Sequence, residues 1–145
     1  MASVSLVNYL GYRKFKKQAK KTLLQVINMY NSVSVFIDII NEGRFEVLYS
    51  SKAVAYTDSI IKFAIHTQKM VEELDNVIDL MQEKIDEAEH VKSEYHLGIR
   101  ISFLLVRNKE LLELVTNVRD EIKQIHDEFD SVIDKIDEYL KTQDI

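Results

Sequence analysis

The sequence contains no cysteine, no proline and only three glycines in 145 residues. Without cysteine, the chain can form no disulfide, no thiolate metal site and no cysteine nucleophile, and a reducing compartment suits it, so we expect a cytoplasmic protein. Proline and glycine are the residues that interrupt helices most strongly. At typical usage of about 5%, a chain of this length would contain roughly seven prolines. Their absence therefore favours long, uninterrupted helices.

A long apolar run is also missing. The stretch from Thr22 to Ile37 carries no charge, but Gln25 and Asn28 interrupt it. A membrane-spanning helix needs about 20 predominantly apolar residues. We therefore expect no transmembrane helix, and the bases that follow Gly11 argue against a secretory signal.

The composition is that of a folded protein. Hydrophobic residues make up 46% of the chain and charged residues 30%. A chain of this length forms one domain and buries roughly 70% of its unfolded surface. We expect a single helical-bundle domain over residues 1–145.

Apolar residues recur every three or four positions along three segments, as they do on the buried face of a helix. We predict helices over about 4–41, 51–94 and 100–142. The fold class is all-α, an elongated antiparallel bundle of three long helices with coiled-coil-like packing. The polar Asn108 interrupts the third stripe, either as a local hydrogen bond near the helix start or as a device that fixes the register.

The glycines mark the reversals between these helices. Gly43 and Gly98 suit the left-handed conformation that ends a helix. Gly11 either ends a short extra N-terminal helix or kinks the first long one. Two segments, 45–49 and 99–103, alternate like strands. We expect an irregular link for the first and a helix start for the second, with short strands as the alternative for both.

Charge is unevenly distributed along the chain. The segment before residue 22 contains bases and no acid, whereas residues 70–96 are rich in acids. In an antiparallel fold the basic start of the first helix would lie beside the acidic half of the second, with Arg107, Lys109 and Arg119 of the third helix near the same acids. The basic surface consists of Arg13, Lys14, Lys16, Lys17, Lys20 and Lys21.

The basic segment has a second interpretation. Aromatic residues lie among the bases, as in segments that dock on anionic membranes or nucleic acids. The net charge of −5 argues against nucleic acid, because the remaining surface would repel phosphate. An anionic membrane surface is therefore the stronger of the two alternatives.

No residue pattern indicates catalysis or cofactor binding. Glu87 and His90 have the Glu-x-x-His spacing of di-iron bundles, but the second such pair is absent. His66 and Met70 have a spacing compatible with haem ligands, but no haem attachment motif is present. We predict a protein that is not an enzyme and has no metal or cofactor.

Apolar residues around the first reversal exceed what one buried stripe requires. Because monomers rarely expose large apolar patches, we expect a second copy or a partner protein to cover this end, unless the turn folds over the surplus itself. The predicted interface consists of Phe36, Ile37, Ile40, Phe45, Leu48, Tyr56, Ile61 and Phe63. The sequence thus predicts a non-enzymatic interaction or structural protein that self-associates or binds a partner protein. The alternative is a membrane-associated or membrane-perturbing domain that docks through its basic N-terminal helix.

Overall fold

The computed structural model describes residues 9–95 and 99–143, and neither range contains a strand. Three α-helices follow one another, α1 (Tyr9–Asn41), α2 (Ser51–Tyr95) and α3 (Ile99–Gln143), and a 3-10 helix (Phe45–Tyr49) precedes α2. The predicted all-α bundle of three helices is confirmed, with the ends of α2 and α3 displaced by one residue from their predicted positions. Gly11 lies inside α1, whereas the predicted start at residue 4 and the turn at Gly98 lie outside the described residues.

The first reversal depends on Gly43, which has a φ of 78°. Its N–H donates to the carbonyl of Ile40 at 3.0 Å, and the N–H of Arg44 donates to the carbonyl of Ile39 at 3.2 Å. These two bonds close the end of α1 in the arrangement that favours glycine. The sequence prediction of a turn at this glycine is confirmed.

The segment after the turn is more regular than we expected. Residues 45–49 form a 3-10 helix, so the predicted irregular link is wrong at this point. A strand would need a partner to satisfy its backbone, whereas one helical turn satisfies its own. Ser50 then caps α2, because its hydroxyl accepts the N–H of Ala53 at 3.2 Å. Residues 99–103 begin α3, as expected.

Contacts between the helices define their directions. Along α1, Tyr30 bonds to Glu128 and Asn41 bonds to Lys135 of α3, so α1 and α3 run in the same direction. Along α2, successive ion pairs join later residues to earlier residues of α3, so these two helices are antiparallel. The chain therefore runs up, down and up.

Each helix contributes to two compact units. Unit 1 combines the chain up to Leu23 with Glu72–Asp120, and unit 2 combines Leu24–Val71 with the chain from Glu121 onward. The core of unit 2 centres on Phe36, Ile37, Ile60 and Phe129, whereas a core cluster of unit 1 consists of Ile85, Ala88 and Leu105.

The first helix combines length with high hydropathy. The segment Tyr12–Asn41 is long and apolar enough to cross a membrane by length and composition, a test that buried core helices also pass. In unit 2 its residues Val26, Phe36 and Ile37 are buried within the chain. This burial is what the helical periodicity predicts for a helix of a bundle core.

Candidate interaction surfaces

The basic residues of α1 form one side of an open cavity in unit 1. This cavity is about 570 Å³ in volume, and no acidic side chain is among the described residues of its lining. We call it the basic cavity, and its lining is Tyr12, Arg13, Lys16, Lys17, Lys20 and Arg107. The predicted residues Lys14 and Lys21 are exposed on the same helix and do not line it.

Two aromatic rings hold Arg107, which α3 contributes to the described lining of the cavity. The guanidinium carbon of Arg107 lies 5.6 Å from the ring centre of Tyr12 and 5.2 Å from that of Phe103. The Lys16 ammonium lies 5.8 Å from the Tyr12 ring centre. Such cation–π contacts fix a flexible cation over a ring face. The sequence did not show that Arg107 joins the basic segment, because that proximity depends on how α1 and α3 align.

The start of α1 lies beside the acidic half of α2, as expected, because Phe15 lines one cavity with Val77 and Lys84. The expected ion pairs between its lysines and those acids are not found among the described residues. Within residues 9–95 and 99–143, the structure gives no ion pair to Lys14, Lys16, Lys17, Lys20 or Lys21. The physical reason is their position on the helix, because the segment from Lys16 to Lys20 faces a solvent-open cavity toward α3.

Pairing of α3 with the acids of α2 is confirmed for two of the three predicted residues. Lys109 pairs with Glu89, and Arg119 pairs with Asp75 and with its neighbour Asp120. The hydrogen bonds to Asp120 and Asp75 raise the pKa of Arg119.

Arg107, the remaining residue of the three that were expected near these acids, has a different partner. Arg107 pairs with Glu110 of its own helix, at 3.3 Å. The ion pairs that join α2 to α3 in unit 1 thus involve Lys109 and Arg119, and neither residue lines the basic cavity.

A second surface lies between α2 and α3 in unit 2. It is an open groove of about 530 Å³ that both helices line. Ile65 is 66% exposed and Ile61 is 40% exposed, although both are apolar. We call it the α2–α3 groove, and its lining is Ile61, Ala64, Ile65, Gln68, His126, Asp130, Ile133 and Asp137.

A hydrogen-bonded chain forms the polar wall of this groove. The buried Thr67 hydroxyl lies 2.9 Å from Nδ1 of His126, and Nε2 of His126 lies 3.1 Å from the Asp130 carboxylate. Thr67 also donates to the carbonyl of Phe63 at 2.7 Å. These bonds anchor the imidazole and bring Asp130 to the groove edge. In the sequence, the only signal was a polar Thr67 within an apolar stripe.

Most residues of the predicted interface are buried or partly buried within the monomer. Phe36, Ile37 and Ile40 are buried in the core of unit 2. Phe45, Leu48 and Phe63 are partly buried and pack against the same core. The turn therefore covers much of the apolar surplus itself.

Two residues of the predicted interface remain accessible. Tyr56, 39% exposed, stacks on Phe36, and Ile61 lines the α2–α3 groove. The interface itself stays a prediction.

The candidate metal ligands do not form a cluster. Glu87 pairs with Lys84 at 3.5 Å, and His66 is exposed. Within the described ranges, no three histidine, aspartate or glutamate side chains converge in a way that could hold a metal ion.

Comparison with known proteins found no matching family model, no matching curated protein and no matching solved structure. The two surfaces described above are therefore the features of this chain that point to a function.

Proposed function

We propose that this chain is a non-enzymatic structural protein that acts by self-association, with the α2–α3 groove as the contact between two copies. The observation that carries the proposal is the exposure of Ile61 and Ile65 along a groove that Ile133 also lines. Apolar area removed from water contributes roughly 25 cal/mol per Å². The accessible parts of Ile61 and Ile65 are thus a source of association free energy.

The charges beside the groove favour a second copy as its occupant. Lys62 and Lys69 are exposed on α2, each one position after a groove residue. On α3 four exposed residues beside or within the groove are acidic: Asp127, Asp130, Asp134 and Asp137. The α2 edge therefore carries Lys62 and Lys69, with Asp58 one turn before Lys62, and the α3 edge is acidic, so the α2 lysines of one copy can face the α3 acids of another.

Contact between opposite charges of two copies favours one direction of the two-fold axis that relates them. A two-fold axis parallel to the groove would place α2 of each copy over α3 of the other. Since Thr67 lies level with His126 in antiparallel helices, Lys62 lies level with about residue 131, between Asp130 and Asp134. An axis across the groove would instead place α2 on α2, with lysine against lysine. Facing like charges disfavour that arrangement.

Measurement of native mass tests the proposal. We expect a dimer at micromolar concentration by sedimentation equilibrium, and a monomer for Ile65→Asp, because the new carboxylate would be buried at the contact. A loss of about 1.4 kcal/mol raises the dissociation constant tenfold, and burial of an unpaired charge costs more. The matched control is Val35→Asp, which changes an even more exposed apolar residue, at 72%, outside the groove. A wild-type monomer across the micromolar range, or equal effects of both variants, would contradict the proposal.

A further inference from the structure

The basic cavity of unit 1 has no part in the proposed dimer contact. Its side chains come from two helices, and they bring five cationic groups around one open volume. Lys16 and Lys20 are four positions apart on α1, and Lys17 lies between them. Like charges at this spacing destabilise a helix by roughly 0.2–0.5 kcal/mol per pair. Packing alone therefore gives no reason for this arrangement.

Among the residues that the structure describes, no acid forms an ion pair with the three lysines. Lys16, Lys17 and Lys20 have no ion-pair partner within residues 9–95 and 99–143. Elsewhere in the same unit, by contrast, Lys109 and Arg119 are paired with acids across the helix interface. Asp75 and Glu89 of α2 thus pair with α3, whereas the three cavity lysines keep charge that no described acid neutralises.

Aromatic contacts hold the Arg107 side chain in place at the cavity. Tyr12 lies against both Lys16 and Arg107, and the ring centre of Phe103 lies 5.2 Å from the guanidinium carbon of the same arginine. A guanidinium held in this way loses less entropy when it binds an oxyanion through its planar fork. Glu110 contacts Arg107 only through a surface pair, which an anion of higher charge can displace.

We propose that the basic cavity binds a small anion with several phosphate groups, either free polyphosphate or the phosphorylated headgroup of a lipid. Phosphate oxygens accept the forked bonds of arginine and the point charge of lysine. Clustered phosphates carry the charge density that five neighbouring cations match. The cavity volume of about 570 Å³ is within the size range of small-ligand sites.

Binding of the intact protein to defined probes tests the proposal. Tripolyphosphate measured by calorimetry represents the free anion. Vesicles of phosphatidylcholine with added phosphatidylinositol bisphosphate represent the headgroup, and vesicles with phosphatidylserine at equal charge control for general attraction. We expect tripolyphosphate or the bisphosphate vesicles to bind, and the probe that binds more tightly identifies the source.

Two sets of variants locate the site. Lys16→Gln, Lys17→Gln and Lys20→Gln combined should weaken binding at least tenfold. The matched control combines Lys52→Gln, Lys123→Gln and Lys141→Gln, which removes the same charge from exposed lysines outside the cavity and should weaken binding less than twofold. Arg107→Lys retains the charge but loses the fork, and it should weaken binding severalfold.

Three results would overturn the inference. The first is that neither probe binds to the wild-type protein. The second is equal weakening by the cavity variant and its control, which would indicate general charge attraction. The third is tighter binding of single-stranded DNA than of both phosphate probes. Circular dichroism of each variant establishes that the helices remain folded.

Discussion

Units 1 and 2 are built from the same three helices but are stabilised in different ways. In unit 2, large side chains fill the core, and Phe129 lies with its ring centre 6.1 Å from that of Tyr30 and 5.9 Å from that of Phe63. In unit 1, no aromatic side chain is among the buried residues that the structure describes, and ion pairs join α2 to α3. The comparison indicates that unit 2 depends on apolar burial, whereas charge contributes more to unit 1.

The candidate surfaces follow the same division. The groove of unit 2 exposes isoleucines beside charges of both signs, which suits contact with another protein surface. The cavity of unit 1 gathers cations of one sign around an open volume, which suits an anion. The placement and sign of the charged residues at each surface therefore determine what kind of partner it suits.

The largest loss of unfolding free energy should come from a change in the aromatic core of unit 2. Phe129 is fully buried, so Phe129→Ala should lower the free energy of unfolding by about 3–5 kcal/mol through lost burial and the cavity left behind. Urea unfolding followed by circular dichroism measures this loss. Ile85→Val in unit 1 provides the reference, with an expected loss of about 0.5–1.5 kcal/mol. A smaller loss for Phe129→Ala than for Ile85→Val would reverse our assignment of the stronger core.

A smaller effect should come from the hydrogen bond that Tyr30 donates to Glu128 at 3.0 Å in unit 2. Burial, and then this bond to a carboxylate, raises the pKa of Tyr30 above its ordinary value of 10.0. The bond therefore stabilises the fold below pH 10.0 and is lost as pH rises through the raised pKa. Tyr30→Phe should cost about 0.5–1.5 kcal/mol at neutral pH.

The pH dependence of that cost sharpens the prediction. Unfolding of the wild-type protein and Tyr30→Phe should be compared at neutral pH and at a pH above the raised value. The difference in unfolding free energy should shrink at the higher pH, because the ionised phenol no longer donates. A difference that stays constant with pH would show that Tyr30 contributes by packing alone.

The smallest effect should come from the ion pairs of unit 1. Arg119→Gln removes its contacts with Asp75 and Asp120, and partly exposed pairs contribute about 0.2–1 kcal/mol each. The cost should decrease with added sodium chloride, because salt screens the pairs. Hydrogen exchange of α2 and α3 amides reports the change. Lys123→Gln, at an exposed residue of unit 2, should leave exchange unaltered, and a salt-independent cost for Arg119→Gln would argue against the role of charge.

Much of the fold could be predicted from residue spacing. The periodic stripes located the three helices, because burial on one face imposes a helical repeat that needs no knowledge of the partner. Gly43 located the first reversal for an equally local reason. The segment 45–49 was harder, since its alternation of apolar residues suits both a strand and a single helical turn packed on the core.

The candidate surfaces were less accessible to the sequence because they depend on alignment between helices. Charge alone identified Lys16, Lys17 and Lys20, but not that Arg107 completes their cavity. Nor could the sequence distinguish Phe36, which is buried, from Ile61, which is exposed, since both are apolar residues near the same turn. Which apolar residues remain accessible is decided by the packing of all three helices.

The central proposal is that two copies meet at the α2–α3 groove with α2 of each against α3 of the other. Its most direct test is the sedimentation mass of two charge-reversed chains, one with Lys62→Glu and Lys69→Glu and the other with Asp127→Lys and Asp134→Lys. We predict that each chain alone is a monomer, because residues 62 and 69 of one copy then face residues 127 and 134 of the same charge sign in the other, and that the equimolar mixture forms a dimer. Dimers of either chain alone, or a mixture that remains monomeric, would contradict the proposal.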